Sequence, residues 1–475
     1  MANTNNNLYF RNILNILIAF YPITYFFGNL AINFNTLLII FAGIIIFKNK
    51  IFDFRSDKIT IILLIFFIYL IIITIFNYFS YSVTVDPVKS LLFLRYFLLV
   101  LVIRHLVIDG LNIKFFVYSS LLIVGFISVD VIYQFYNNGV NLTNYIAPSD
   151  VHNTGVFKEE RITGNFIRIF VSLSIIPFAF LFYNKKKLFF LSIVFIILIS
   201  GSGVFLSGNR MPMILFALFF ILTIFLVRKI RVVFLSSFII MLLSITCIAY
   251  FSEFSNEKSF YENRVAISKF LKGENVKINK KKYGYVSYYK SFYLNGVAIS
   301  KFLKEEIGKK YPNVKKGTYY VEEWAQGKNT KYKMSPSFSG HHLIYRTAID
   351  TWKMNPIFGN GIKSFRVRCN DKIQIPNRIC QSHPHNYYLE ILNDVGIVGA
   401  ILLLIIFFFL LRGNFKRKIY EENFIYISFL IFLVIEFLPI RSSGSLFSTS
   451  NSTIIFLSIG LLIGACSNNT KKYDK

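Results

Sequence analysis

HNYYLEILNDVGIVGAILLLIIFFFLL, residues 385–411, opens with a His-Asn pair and runs into apolar residues long enough to cross a hydrocarbon core. The segment joins a His placed just outside the membrane to the membrane helix itself. Gly396 and Gly399 lie in that helix, where small residues permit close backbone approach. The stretch therefore reads as a membrane helix with a chemically equipped entrance.

The rest of the chain agrees with that reading. Over its 475 residues, 55% are hydrophobic and 54 are Phe, with a mean hydropathy of +0.54. A soluble core does not need that much apolar surface, whereas a bundle solvated by lipid does. Apolar windows fall at about 8–28, 30–47, 59–79, 90–108, 114–136, 166–183, 188–207, 212–227, 232–251, 386–411, 422–438 and 453–467. The expected fold is an all-α polytopic membrane protein of about 12 transmembrane helices. The first window has no small-residue cleavage pattern behind it and reads as a retained helix, not a signal peptide.

Basic residues in the short loops set an orientation. Lys48, Lys50, Arg55 and Lys58 follow the second window, and Lys185, Lys186 and Lys187 the sixth. Arg228, Lys229 and Arg231 follow the eighth, Arg412, Lys416, Arg417 and Lys418 the tenth, and Lys471, Lys472 and Lys475 the last. Every cluster follows an even-numbered window, so both termini are expected in the cytoplasm. The connections at about 137–165 and 252–385 then lie outside. The chain divides into helices 1–9 over residues 1–251, a large external loop over 252–385, and helices 10–12 with a tail over 386–475.

Between Phe251 and Asn386 there are 25 Lys and Arg against 10 Asp and Glu, over half of the chain's net +28. Long loops escape the charge rule, so this excess is compatible with an external position. It reads either as a solvated Lys-rich surface or as an electropositive platform for phosphates of lipids or sugar carriers. The late concentration of Arg346, Arg366, Arg368 and Arg378 favours the platform, since arginine is the better bidentate phosphate ligand. Early in the loop SFYENRVAISKFLK (259–272) recurs as SFYLNGVAISKFLK (291–304), with two differences. Each copy spaces Val, Ile, Phe and Leu as an amphipathic helix would. A single duplicated pair is too little for a solenoid and reads as an insertion without catalytic role. Cys369 and Cys380 bracket a short polar segment leading into SHPHN and form a candidate disulfide; closing such a loop contributes on the order of 3 kcal/mol. Cys247 and Cys466 fall in apolar windows and read as packing residues. His383 and His385, two apart with no nearby ligand set, do not make a metal site.

Three further groups draw notice at the expected outer margin. Arg210 falls in GSGVFLSGNRMP, a Gly/Ser-rich break between two windows. It is either a snorkelling turn residue or a guanidinium facing an internal cavity, where it would match pyrophosphate oxygens. Arg161 opens RITGNF, and Arg346 lies in YRTAIDTWKMNPIFGNG, a helical stretch ended by Pro356 and Gly359. A lone interfacial His is more often structural than catalytic, yet the neutral imidazole of His385 is suited to accept a proton from a sugar hydroxyl.

Taken together, these segments resemble the O-antigen ligase superfamily of lipopolysaccharide ligases, O-antigen polymerases and O-linked oligosaccharyltransferases. The resemblance rests on His385-Asn386 followed after nine residues by Gly396-x-x-Gly399, on the preceding CQSHPH, on RITGNF and SGNR, and on Arg346 running into NPIFGNG. It implies metal-independent glycosyl transfer, without cofactor, at the periplasmic face of a bacterial inner membrane. The implied donor is a glycan on polyprenyl pyrophosphate, and the implied acceptor is a hydroxyl of lipid A-core or of a second lipid-linked glycan. By the same resemblance Arg210 and Arg346, with Arg161 beside them, bind the pyrophosphate. His385 orients or deprotonates the acceptor, and Asn386 helps to position it. The chain departs from the pattern at Leu402, where ligases often carry an aromatic residue or Thr, and at Ile167-Arg168-Ile169, where relatives often show Asn-Pro-Asn. The leading expectation is a ligase, with a polymerase as its nearest rival. A transporter or flippase is the alternative from a different class, but it should show repeat symmetry between its halves, and the only repeat here is local.

Overall fold

The computed structural model describes residues 2–54, 57–80, 86–137, 139–146, 152–158, 160–254, 340–369, 379–416, 424–439 and 441–473. The duplicated segment 259–272/291–304 and Arg378 lie outside the described residues, as does most of the segment 252–385. Among the described residues the chain is helical, without a strand of more than a single bridge residue; one such bridge pairs Val140 with Ile146.

Nine helical stretches among the described residues are long and apolar enough to cross a membrane. They run over Asn29–Phe52, Lys58–Ser80, Pro87–Ile108, Lys114–Tyr136, Thr163–Phe182, Leu188–Leu206, Arg228–Ile248, Tyr387–Gly413 and Thr449–Ser467. Two shorter apolar helices, Arg210–Leu226 and Tyr426–Glu436, match the eighth and eleventh expected windows. The first window falls on two helices, α1 (Ala2–Ala19) and α2 (Tyr21–Phe27), broken near Pro22 and ended by Gly28 at φ +88°. A proline near the start of α2 has no helical N–H to give, which explains the break.

The remaining helices are α3 (Asn29–Phe47), α4 (Lys58–Ser80), α5 (Pro87–Phe93), α6 (Arg95–Ile108), α7 (Lys114–Tyr136), α8 (Thr163–Phe182), α9 (Lys186–Leu206), α10 (Arg210–Leu226) and α11 (Arg231–Phe254). After the long segment come α12 (Gly340–Trp352), α13 (Phe365–Arg368), α14 (Tyr387–Lys416), α15 (Phe424–Glu436) and α16 (Thr449–Tyr473). The most enclosed spans are α16 and α8. α16 lies along α6 because Gly460 and Gly464 present no side chain. A Cβ on Gly460 would stand 3.0 Å from Ile103 Cβ, and one on Gly464 would stand 2.6 Å from Val107 Cβ. That is the small-residue packing expected where lipid tails are as apolar as the side chains they would replace. Above it Phe67, Phe93, Tyr96 and Phe456 pack ring to ring. The outward faces keep Leu30, Phe34, Phe41, Ile72, Phe76, Leu122, Leu191, Phe195, Phe225 and Leu243 exposed. In water such a surface would drive aggregation; in a bilayer it is the solvated one.

Two helices carry the architecture to the candidate site. α8 packs against α7, α9, α10 and α15, and α14 packs against α4, α12 and α16. The ends of these helices gather the residues that the sequence singles out.

Candidate functional site

The Gly396-x-x-Gly399 pattern is a break in α14 that another motif fills. Gly396 sits at φ +61°, outside helical geometry, and divides the helix. A break there strands the carbonyls of Asn393 and Asp394 and the N–H groups of Ile397 and Val398. The segment Pro356–Gly361 takes up all four. Asn360 N donates to Asn393 O at 2.8 Å and Gly361 N to Asp394 O at 2.8 Å, while Ile397 N donates to Pro356 O at 3.0 Å and Val398 N to Ile357 O at 3.1 Å. The approach is close enough that a Cβ on Gly396 would stand 2.3 Å from Ile357 O and 2.5 Å from Gly359 N. Tyr69 of α4 closes the junction, its hydroxyl 2.7 Å from Phe358 O and 3.0 Å from Val395 O. Asp394 completes it by accepting from Lys363 N, Ser364 N and Ser364 Oγ at 2.6, 3.0 and 2.7 Å. NPIFGNGIKS and HN-x9-GxxG are thus one interlocked unit, because each supplies the hydrogen bonds that the other lacks.

His385 stands at the head of this unit in a left-handed backbone conformation, φ +56°, which a residue with a Cβ adopts only when its surroundings impose it. Those surroundings are visible. Its carbonyl accepts from Ser443 N at 2.8 Å and lies 3.4 Å from the donating Tyr345 hydroxyl of α12. Its Nε2 pairs with Gln381 Oε1 at 2.6 Å. The rings of His383 and His341 lie 4.2 and 5.2 Å from its own. Burial, and then the neighbouring His341, lower the pKa of His385 below the ordinary histidine value. His383 is pushed down to about 4 by burial, by His385 and by Arg366. Both imidazoles are therefore neutral near pH 7, the form that accepts a proton.

Asn386 uses both ends of its amide within the protein. Its Oδ1 caps α14, accepting from Tyr388 N and Leu389 N at 3.0 and 3.2 Å. Its Nδ2 donates to Pro439 O at 2.9 Å and Arg441 O at 3.3 Å. The turn between α15 and α16 thereby wraps the His-Asn pair, and Glu390 holds its far side by accepting from Leu446 N at 2.6 Å and from the Ser445 hydroxyl. Beneath it lies a buried ionic cluster. Glu436 takes Arg168 Nη2 on one oxygen at 2.8 Å, and Arg441 Nη2 and the Tyr387 hydroxyl on the other at 2.6 and 3.0 Å. The Arg441 guanidinium also lies 5.0 Å over the Tyr387 ring.

A second group forms where RITGNF meets SGNR. Gly164 packs so tightly on the turn after α9 that a Cβ there would stand 2.5 Å from Ser207 Oγ and 3.2 Å from Asn209 Cβ. Asn153 Nδ2 donates to Leu206 O at 2.8 Å, and Thr163 Oγ1 to Thr154 O at 2.6 Å. His152, next to Asn153, lies at this knot, and the charges of Arg161 and Arg210 act on it. Burial first, then Arg161 and more weakly Arg210, lower its pKa to about 4. Arg161 is half-buried and Arg210 exposed at the start of α10.

The candidate residues thus fall into two groups. Arg161 and Arg210 share the first, and His385, Asn386 and the helix of Arg346 share the second. Arg346 is exposed, one residue from the Tyr345 that reaches the carbonyl of His385. Cys369 and Cys380 meet through their sulfurs across a Cα separation of 5.8 Å, a spacing a disulfide spans. Among the described residues no group of three His, Cys, Asp or Glu side chains is arranged to hold a metal ion. Several residues carry more than their sequence context announces. Arg168, a departure from the family pattern, is fully buried in the ionic cluster, and its partners Glu436 and Arg441 lie in an apolar helix end and a Ser-rich turn. A sequence signal for Arg168 did exist, since an arginine inside an apolar span requires a partner. For His152 there was none.

The sequence model of one family, described as O-antigen ligase, matches residues 194–404. Over that stretch, somewhat under half of its length, the chain resembles the O-antigen ligase family. The matched stretch contains Arg210, Arg346, His385-Asn386 and both glycines of the α14 break, while Arg161, Arg168, Glu436 and Arg441 lie outside it. No curated protein matches the chain. The match and the apolar helices together support a multi-pass membrane protein related to O-antigen ligases and polymerases.

Proposed function

We propose that this protein is an O-antigen ligase-type transferase, moving a glycan from polyprenyl pyrophosphate to a hydroxyl of lipid A-core without a metal. The observation that carries the reading is His385. It is kept neutral, held in one strained conformation, and joined through the α14 break to the segment that Arg346 leads into. In the reaction His385 takes the proton of the acceptor hydroxyl as its oxygen bonds to the anomeric carbon. The bond from that carbon to the pyrophosphate oxygen breaks, and the leaving pyrophosphate carries away the electron pair. The exposed guanidinium groups of Arg210 and Arg346, with Arg161 behind them, bind that pyrophosphate and stabilise the charge it develops. Asn386 serves by fixing His385 from the following position.

The proposal extends to placement. Twelve spans, the first formed by α1 and α2 together, put both termini in the cytoplasm of a bacterial inner membrane. Residues 252–385 then form a periplasmic loop between the helical blocks 1–251 and 386–475, in a compartment that permits a Cys369–Cys380 disulfide. Deletion of the gene, followed by gel profiles of lipopolysaccharide, tests the function. Loss of all O-chains with build-up of lipid-linked polymer is the expected result. A band one repeat unit long would move the assignment to polymerase, and an unchanged profile would remove both.

A further inference from the structure

The cluster beneath His385 is out of balance. Glu436 is the one carboxylate that Arg168 and Arg441 contact among the described residues, so two guanidinium charges share a single negative one. Both arginines are buried, with 1% and 6% of their surface exposed. Three of their donor nitrogens, Arg168 Nη1 and Arg441 Nε and Nη1, have no hydrogen-bond partner among the described residues, and neither does the adjacent Ser443 hydroxyl. A buried charge without a counter-charge and a buried N–H without an acceptor are each costly, and the two coincide here. An anion with several acceptor oxygens relieves both at once.

The surroundings exclude two simpler explanations. A structural ion pair needs one arginine, and Arg168 alone already takes one oxygen of Glu436 while holding Asn165 Oδ1 at 2.8 Å. Surface snorkelling does not apply to Arg441, because its guanidinium turns inward over Tyr387. The turn above it reaches the surface: Pro439 and Gly444 are exposed on either side of the buried Arg441 and Ser443. The same turn donates Ser443 N to the carbonyl of His385 and accepts the Asn386 amide on Arg441 O, so an anion seated here bears on the backbone that orients His385.

We propose that Arg168, Arg441 and Ser443 form a buried site for a phosphate-class oxyanion, distinct from the exposed Arg210 and Arg346. Resting on the function proposed above, its natural occupant is a phosphoryl group of the lipid carrier; inorganic phosphate presents the same oxygens. The site has its own readout, since anion binding is measurable whether or not transfer takes place.

The test uses the full chain purified in detergent and inorganic phosphate titrated at constant ionic strength, followed calorimetrically and by the melting temperature. Wild type is expected to bind and to melt higher with phosphate than with matched chloride. Arg441→Gln leaves the Arg168–Glu436 pair intact and should weaken binding at least tenfold, whereas Arg210→Gln should leave this binding in place. Glu436→Gln removes the competing carboxylate and should tighten binding severalfold, a gain that a purely structural role does not produce. Competition by vesicles carrying a polyprenyl phosphate identifies the carrier as the source of the oxyanion; phosphate binding undisturbed by them identifies free phosphate. Absence of phosphate binding by wild type, or binding lost in Arg210→Gln and kept in Arg441→Gln, overturns the site. Should Arg441→Gln not fold, the wild-type melting shift and Glu436→Gln still decide.

Discussion

The two groups around His152 and His385 are built from similar parts and held in different ways. Each has an imidazole pushed down to about 4, His152 in one and His383 in the other, with arginines bearing on it. The His152 knot is local: a side-chain amide and a hydroxyl bind nearby carbonyls, Gly164 closes the gap, and Arg210 is left exposed. The His385 group is tied to distant parts of the chain through a helix break, a capping amide, a wrapped turn and a buried carboxylate. A group that must meet a mobile charged headgroup needs reach, whereas a group that must take a proton at one angle needs fixing. On the function proposed above, the first is the place for binding and the second the place for chemistry.

That division makes the two key variants differ in kind. His385→Ala should lower kcat by about 10²- to 10⁴-fold with KM little changed, the range of a lost general base. Arg210→Ala should cost about 10²-fold in kcat/KM, mostly through KM, with partial rescue by Arg210→Lys. The pH profile should separate them further. Because the pKa of His385 is lowered, its neutral form persists below the ordinary value of 6.5, and the acid limb of kcat/KM should fall below that pH. In the free protein His152 and His383 take up protons on unfolding between about 6.5 and about 4, so stability is present above 6.5 and lost as pH falls through that window. An Arg210→Ala variant with normal KM, or a His385→Ala variant with normal kcat, would erase the distinction between the groups.

Much of this was legible in the chain and some was not, for reasons that are physical. The spans follow from apolar length, which a bilayer enforces on each helix separately. Hence the sixth to eleventh windows return as α8 to α11, α14 and α15 within a few residues. The first window returns as two helices because Pro22 breaks it locally, a feature that average hydropathy hides. His385, Gly396 and Gly399 stood out as a pattern, but what the glycines do depends on Pro356–Gly361 arriving from outside α14, and no period along one segment carries that information. Asn386 was expected at the acceptor, yet its amide is spent on capping α14 and holding the turn after α15. Arg168 with Glu436 and Arg441 joins residues more than 260 positions apart, beyond any local signal.

The helix break offers a sharper probe of the fixed group. Gly396→Ala puts a methyl 2.3 Å from Ile357 O, a backbone atom that cannot swing aside, at a φ of +61° that already disfavours a side chain. The cost should be at least about 2 kcal/mol. The expected outcome is a lower melting temperature and a larger loss of kcat than of donor binding, because the damage falls on the His385 unit. Gly164→Ala at the other knot meets Ser207 Oγ, the end of a hydroxyl that can rotate, and should be milder. Equal losses in the two variants would mean that the groups are braced alike.

The smallest effect is the most discriminating, because it asks whether Asn386 touches substrate. As a brace, Asn386 loses its cap in Asn386→Ala, worth about 1 kcal/mol, together with its donations to Pro439 O and Arg441 O. Activity should then fall only as far as stability does. Asn386→Asp keeps the acceptor that caps α14 but turns a carboxylate oxygen toward two carbonyls that the amide had satisfied. It should therefore be the less stable of the two variants, although aspartate is as good a helix cap as asparagine. A residue that positioned the acceptor hydroxyl would behave in the opposite way, losing kcat well beyond tenfold in Asn386→Ala at an unchanged melting temperature. Melting curves and transfer rates on the same preparations separate these outcomes, and the brace requires that the two quantities fall together.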